Sequence, residues 1–465
     1  MNKLSKRAWF PLTLAGILLL GVLFITGRFF VSGADWASYR GDPGVSAVGS
    51  IDSYRVVARD GTELLDTTDG KDYCDDVALR TSLLHLLGDG GNVPSYMIDE
   101  YGDELVGYNV LSGTYSTQDN TGEMQLTISP LVQTAAYYAM AGRKGTVGVY
   151  NYQTGEVLCM LSMPAYDPEN PPDIYTKDEE GHLVVKDEYD SVYFNRFTWS
   201  TYIPGSIFKL VTSAAALENI EDINERTFEC TGSVNIGGKL ATCHSQNGHG
   251  IINFKEALAK SCNVAFAEIS SELGDKILTE YAERMGITDS ISFDGLTTTP
   301  GNFDLSKADE YATAWAGIGQ YNDEINPCQF MTMVGAIANG GRAALPHVVE
   351  QVSYGGKTGY TAKTENGKQI LSRETADRLA DMMRFNVDNN YIWSCNFAGL
   401  DSGGKSGTAQ KDNGNADALF AGFSSDPDYP LAYIVVVEDG GSGSGACLPV
   451  VQQILNASVA AMNAE

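Results

Sequence analysis

Three short strings constrain this chain more than any other feature: Ser206-Ile207-Phe208-Lys209, Ser261-Cys262-Asn263 and Lys405-Ser406-Gly407-Thr408. Each supplies one part of a single chemistry, yet the first and last lie about two hundred positions apart. A fold that uses them together must return late segments to early ones. Ser206 and Lys209 are three residues apart, so on a helix they share one face. Pro204-Gly205 gives an abrupt entry to that helix. A serine hydroxyl is a poor nucleophile until a base takes its proton. A lysine becomes that base only where desolvation pulls its pKa down from about 10.4. The helix N-terminus favours negative charge as it develops.

The other two strings complete the set. Ser261 is suited to pass a proton between Lys209 and a leaving amine, and Asn263 offers both an acceptor and a donor to a substrate amide. Lys260 reads as a solvated helix residue. Lys405 supplies positive charge for a carboxylate, with the Ser406 and Thr408 hydroxyls as donors. Gly407 and the preceding Gly403-Gly404 let a substrate backbone lie along the strand. Backbone N–H groups of Ser206 and Thr408 are the candidate oxyanion donors. The chemistry expected is acyl transfer through a covalent serine ester, which calls for no metal and no cofactor. A second string, Gly356-Lys357-Thr358-Gly359, matches the third as literally, but it leads into polar Tyr360–Lys368 rather than into apolar strands and reads as an exposed hairpin.

Charge and hydropathy limit partners and location. The 31 Lys and Arg against 59 Asp and Glu give a net charge of −28, which argues against nucleic acid as a partner. Trp9 to Gly27 carries no charge, nearly enough to cross a hydrocarbon core. Lys3, Lys6 and Arg7 precede it, which places residues 1–8 in the cytoplasm, 9–30 in the lipid bilayer and the remainder outside. A signal peptide cleaved near Ser32-Gly33-Ala34 is the competing reading, disfavoured by the length of the run. Of the eight cysteines, Cys230 and Cys243 are the most plausible disulfide, Cys262 reads as a small buried thiol, and the lack of a C-x-x-C pair argues against zinc.

The rest of the chain reads as α+β. Residues 31–124 form a small polar module with a hairpin around Asp60-Gly61 and a helix near Thr81–Leu87. From 125 the pattern predicts a helix capped by Ser129-Pro130, strands at 145–150 and 156–162, and an exposed insertion over 168–192. Helices are expected at 206–217, 253–260, 264–273, 327–338 and 373–386. Strands follow at 404–410, 418–423 and 431–438, then a loop over 440–445 and a helix over 449–462. Strands first, helices next and strands last imply an antiparallel sheet closed by both ends of the chain and flanked by helices.

These residues resemble the class B (monofunctional) penicillin-binding proteins, the D,D-transpeptidases of peptidoglycan synthesis. The likeness covers about residues 125–465. Beyond the three strings it includes Thr154–Pro168, Asn195-Arg196, Gly317–Gln320, Asn326–Gln329, Ala338–Gly341 and Ala418–Phe423. The resemblance implies that Ser206 attacks a stem peptide's penultimate D-Ala carbonyl, Lys209 is the base and Ser261 the proton relay. Asn263 would clamp substrate while Lys405, Ser406, Gly407 and Thr408 line the far wall. A neighbouring stem's amine would release the acyl-enzyme as a cross-link, and β-lactams would trap it as a stable ester. A polytopic membrane glycosyltransferase is the partner that the resemblance implies. Ile207 and Ser406 stand where the family commonly has Thr, with no needed atom lost. Alternatives are a D,D-carboxypeptidase, a non-catalytic penicillin-binding scaffold or a serine β-lactamase; the last is disfavoured by length, anchor and the lack of an evident deacylation carboxylate.

Overall fold

The computed structural model describes residues 13–28, 30, 53–106, 121–178, 180–411 and 414–464. The expected cytoplasmic tail, the competing cleavage site and residues 31–52 and 107–120 of the 31–124 module lie outside these residues. Thr13–Arg28 is an apolar helix. Its side chains are exposed.

Five strands form the central antiparallel sheet, in the order Ser402–Gln410, Ala416–Ser424, Leu431–Val437, Gly145–Asn151 and Val157–Met163. The pairing of Leu431–Val437 with Gly145–Asn151 joins the two ends of the domain, as the pattern predicted. Leu431–Val437 and both early strands are buried at every position. Helices cover both faces, so these strands read as continuous apolar runs rather than alternating ones. Leu431, Tyr433, Val435 and Val437 pack with Val132, Ala136, Val450 and Ile454 of the helices Pro130–Met140 and Gly443–Met462. Ala432, Ile434 and Val436 point the other way and join the core that holds Phe330, Met331 and Val334 of the helix Pro327–Ala338. The period of two along one strand thus builds two separate cores. Each buried Val, Leu or Ile contributes about 1.5–3 kcal/mol.

Some elements depart from expectation. The Asp60-Gly61 hairpin forms from Tyr54–Val57 and Glu63–Asp66, but it belongs to a six-stranded sheet that includes Gly122–Leu126, Val349–Tyr354 and Lys357–Thr361. The boundary expected at 124/125 therefore falls inside a strand, and the early module is finished by a late hairpin. The helix expected at 81–87 is two short ones, Val77–Ser82 and Leu84–Leu87. The 168–192 insertion carries a small exposed hairpin, Tyr175–Lys177 with Leu183–Val185. The closing helix starts at Gly443, not Pro449, because Ser442 Oγ accepts from Gly445 N–H at 3.3 Å and caps it. The 440–445 stretch is thus partly helix. Among the described helices, this one is both long and apolar enough for a membrane span, but it is a core helix with Cys447, Val450, Val451, Ile454 and Leu455 buried.

Candidate active site

The nucleophile turn is built by close backbone approach. Gly205–Phe208 is a single 3-10 turn that runs into the helix Lys209–Asn219. Gly205 sits at φ 52°, and a Cβ there would lie 2.6 Å from Thr408 O. Across the gap, a Cβ on Gly407 would lie 2.6 Å from Pro204 O. The turn and the edge strand Ser402–Gln410 therefore meet through backbone atoms, which places Ser206 beside that strand.

Lys209 lies under the turn with its side chain buried. Its Nζ is 3.1 Å from Ser206 Oγ, 3.2 Å from Ser261 Oγ, 2.9 Å from Ser261 O and 2.7 Å from Asn263 Oδ1. Burial pushes its pKa down from 10.5 to about 7, with the Cys262 and Cys243 thiols pulling weakly the other way. Lys405 is also buried, and its Nζ lies 3.0 Å from Ser261 Oγ and 2.8 Å from Ser406 O. Burial first, and the charge of Lys209 second, hold its pKa well below the ordinary lysine value. The Ser261 hydroxyl is thus in reach of both amines. It can accept from one and, when the other is neutral, donate to it.

Ser261 and Asn263 are positioned by a helix junction. The helix Phe254–Ala259 opens on a capping box between Asn253 and Glu256. Ser261 then turns the chain at φ 52°, Cys262 caps the next helix, and Asn263 begins it. Gly274, at φ 74° and ψ 172°, breaks the helical path, so the first helix ends near Leu273 as expected and a second follows it to Arg284. Asn263 Nδ2 donates to Thr242 O at 3.2 Å while its Oδ1 accepts from Lys209, which fixes the amide orientation.

The structure brings together Ser206, Lys209, Ser261, Asn263, Lys405 and the strand through Ser406, Gly407 and Thr408. Lys357 stands apart, exposed on the edge strand of the other sheet. Residues that sequence reasoning missed hold the cationic strand in place. Tyr391 Oη lies 2.8 Å from Ser406 Oγ and accepts from Ser406 N–H at 3.2 Å. Asn386 Nδ2 donates to Gly404 O at 2.8 Å and to Tyr391 Oη at 3.3 Å. Asn390 Nδ2 ties the same segment to Ala259 O at 3.1 Å, near the Ser261 junction. Tyr391 ends a π-helical turn, Val387–Tyr391, a feature often found at functional sites.

The cysteine expectations need correction in part. Cys230 and Cys243 are free thiols, not a bridge. Cys262 is buried, as expected. Cys230, Cys243, His249 and Cys262 bring their sulfur and nitrogen atoms within 4.8 Å of one another, a grouping that the spacing argument did not anticipate.

The geometry has counterparts among known proteins. A family model described as the penicillin binding protein transpeptidase domain matches residues 145–457. Peptidoglycan D,D-transpeptidase PbpA of Mycolicibacterium smegmatis is 30% identical over 354 residues, 70% of this chain and 70% of its own length. Stage V sporulation protein D of Bacillus subtilis is 27% identical over 363 residues, 72% of this chain, and the match spans about half (53%) of that protein. The penicillin G acyl-enzyme complex of penicillin-binding protein A from M. tuberculosis superposes with a TM-score of 0.73 at 21% identity, covering 88% of this chain and 100% of that one.

Proposed function

Because the chain belongs to the penicillin-binding protein transpeptidase family, we propose that it cross-links peptidoglycan stem peptides by serine acyl transfer, and that β-lactams acylate the same serine. The observation that carries this reading is the convergence of the Ser206 and Ser261 hydroxyls and the Asn263 amide on the buried Lys209 amine, with the second buried amine, Lys405, on the same Ser261 hydroxyl. In the first half-reaction Ser206 Oγ attacks the penultimate D-Ala carbonyl of a donor stem and gives its proton to neutral Lys209. The carbonyl oxygen, now negative, needs donors. On the edge strand, Ser406 N–H points to Tyr391 and Gly404 O to Asn386, both away from the neighbouring strand. Thr408 shares that parity, so its N–H also faces the cleft and supports the assignment of the oxyanion site to Thr408 and Ser206. The proton on Lys209 then reaches the departing D-Ala amine through the Ser261 hydroxyl. Lys405 attracts the terminal carboxylate of the donor, and that negative charge restores the lysine's affinity for its proton.

In the second half-reaction an amine from a neighbouring stem attacks the ester, Lys209 again takes a proton, and Ser206 leaves with one restored. The relative trapped as a penicillin G acyl-enzyme supports the same ester on Ser206 here. The helix Thr13–Arg28 supports a single membrane anchor; an N-terminus in the cytoplasm, a catalytic domain outside and a polytopic glycosyltransferase partner belong to the same proposal. Fluorescent penicillin should label the wild-type chain and not Ser206→Ala. Labelling that persists in the variant would overturn the nucleophile assignment. Incubation with a donor stem and an amine acceptor should give the cross-linked product; release of free D-Ala with water as the only acceptor would move the activity to a carboxypeptidase.

A further inference from the structure

We propose that Cys230, Cys243, His249 and Cys262 bind one zinc-type divalent metal ion that clamps the turn carrying Ser261 and Asn263. The four ligand atoms come from four separate segments and lie within 4.8 Å of one another. Cys230 ends the strand Thr227–Cys230, Cys243 follows the strand Lys239–Thr242, His249 precedes the strand Gly250–Asn253, and Cys262 caps the helix Asn263–Arg284. A tetrahedral ion with Zn–S of about 2.3 Å and Zn–N of about 2.0 Å would set S···N separations of about 3.6 Å and S···S separations of about 3.8 Å. Cys243 Sγ and His249 Nδ1 are 3.6 Å apart.

The backbone around the cluster is shaped for it. Cys243 N–H donates to Gly232 O at 2.8 Å and His249 N–H donates to Cys230 O at 3.0 Å, so the ligand-bearing ends are knotted together. Gly248 at φ 75° passes so close to the Cys230 carbonyl that a Cβ would lie 2.0 Å from its oxygen. The surrounding ribbons, Thr227–Cys230 with Gly250–Asn253 and Ser233–Ile236 with Lys239–Thr242, are each only two strands wide. Such ribbons are marginal without a further tie. All three thiols are buried, with 1%, 6% and 0% exposure for Cys230, Cys243 and Cys262. A disulfide would use two of them, strand the third and leave the imidazole without a role; a three-thiolate, one-imidazole set uses all four and matches a closed structural zinc site. The thiols lose their protons to solvent on binding.

The consequence for the acyl-transfer site follows from the chain path. Cys262 lies between Ser261 and Asn263, and Asn263 Nδ2 donates to the carbonyl of Thr242, the neighbour of Cys243. A metal bond to Cys262 and Cys243 would therefore hold the relay serine and the substrate amide at both ends of one short loop. This makes the four ligands positioning residues.

The test is metal stoichiometry of the full chain, purified in detergent under reducing conditions and dialysed with zinc. Close to one zinc per chain is expected, with cobalt(II) substitution giving the intense visible bands of tetrahedral thiolate coordination. His249→Ala, at a half-exposed position, and Cys243→Ser should each lose at least ten-fold in zinc affinity, while Cys74→Ala, remote from the cluster, should bind as wild type. Stripping zinc from the wild type with a chelator covers the case of a variant that fails to fold; it should lower the melting temperature and re-addition should restore it. Absence of stoichiometric zinc in the reduced wild type, equal loss in Cys74→Ala, or a disulfide linking any two of the three cluster thiols in peptide mapping of the native protein would each overturn the site. Removal of zinc should also slow penicillin acylation at least ten-fold; that arm rests on the proposed acyl transfer, whereas the stoichiometry does not.

Discussion

The protonation of Lys209 gives the sharpest test of the proposed chemistry. Its pKa lies at about 7 rather than 10.5 because the amine is buried. At about 1.4 kcal/mol per pKa unit, the site disfavours the charged form by roughly 5 kcal/mol relative to water. At pH 7 roughly half of the molecules then hold a neutral amine, against roughly one in three thousand for an ordinary lysine. Single-turnover acylation by a fluorescent penicillin should rise about ten-fold per pH unit below 7 and flatten above it. Lys209→Arg should lose at least about 1,000-fold, because a guanidinium does not deprotonate. The same pKa links to stability. Between pH 7 and 10.5 the unfolded chain holds the lysine proton more tightly than the folded one, so the Lys209 contribution to stability rises with pH across that window. Below 7 the penalty is complete. Lys209→Met, of similar shape, should therefore gain more stability over wild type at pH 6 than at pH 9, measured by denaturant melts. A rate profile flat through pH 7, or one still rising past pH 9, together with a pH-independent gain for Lys209→Met, would refute the reasoning.

Three further outcomes follow from single contacts. Lys405→Ala should reduce the acylation rate at least about 100-fold, since it removes a charged group in the site, whereas Lys357→Ala should label like wild type; the reverse ordering would show that the wrong strand was chosen. Tyr391→Phe removes the hydroxyl that serves both Ser406 N–H and Ser406 Oγ, at a cost of about 1–3 kcal/mol for the donors left buried, or roughly 5- to 150-fold in kcat/KM if that loss is felt in the transition state. Gly407→Ala must push the edge strand off Pro204 O, which would sit 2.6 Å from the new Cβ, so it should cost about 1–3 kcal/mol by thermal melting and slow acylation at the adjacent Ser206.

What the sequence made legible was local. Ser206 with Lys209, Ser261 with Asn263, and Lys405 with its small neighbours could be read because each string places its chemistry within one helical turn or one strand. The polar continuation after Lys357 was enough to separate the two candidate third strings. Contributions made across the fold were not legible. Asn386, Asn390 and Tyr391 sit in a run of polar residues that looks like any solvated helix end; only the fold aims Asn386 at Gly404, Asn390 at Ala259 and, from the π-helical turn, Tyr391 at Ser406. The thiol cluster draws its four ligands from segments more than a turn apart, so templates based on C-x-x-C miss it; a Gly-rich segment with two cysteines and a histidine, followed by a cysteine inside a catalytic string, was the signal on offer. The late hairpin Val349–Thr361 completes an early sheet through pairing that no local pattern announces.

Ser261 shows why the site departs from ordinary backbone rules where it does. A non-glycine residue at φ 52° costs on the order of 1–2 kcal/mol. The turn it makes frees its carbonyl to accept from Lys209 at 2.9 Å and turns its hydroxyl between the two amines, so one strained residue serves both lysines. Ser261→Gly separates conformation from chemistry: glycine adopts the left-handed turn without strain, keeps the carbonyl and loses only the hydroxyl. The variant should melt at or above the wild-type temperature while its acylation rate falls at least about 100-fold, the range for a lost proton-transfer group. Ser261→Ala should lose activity equally and melt lower, since it keeps the strain. If Ser261→Gly instead acylates like wild type, the hydroxyl is there to hold the turn and the proton must leave Lys209 by another route.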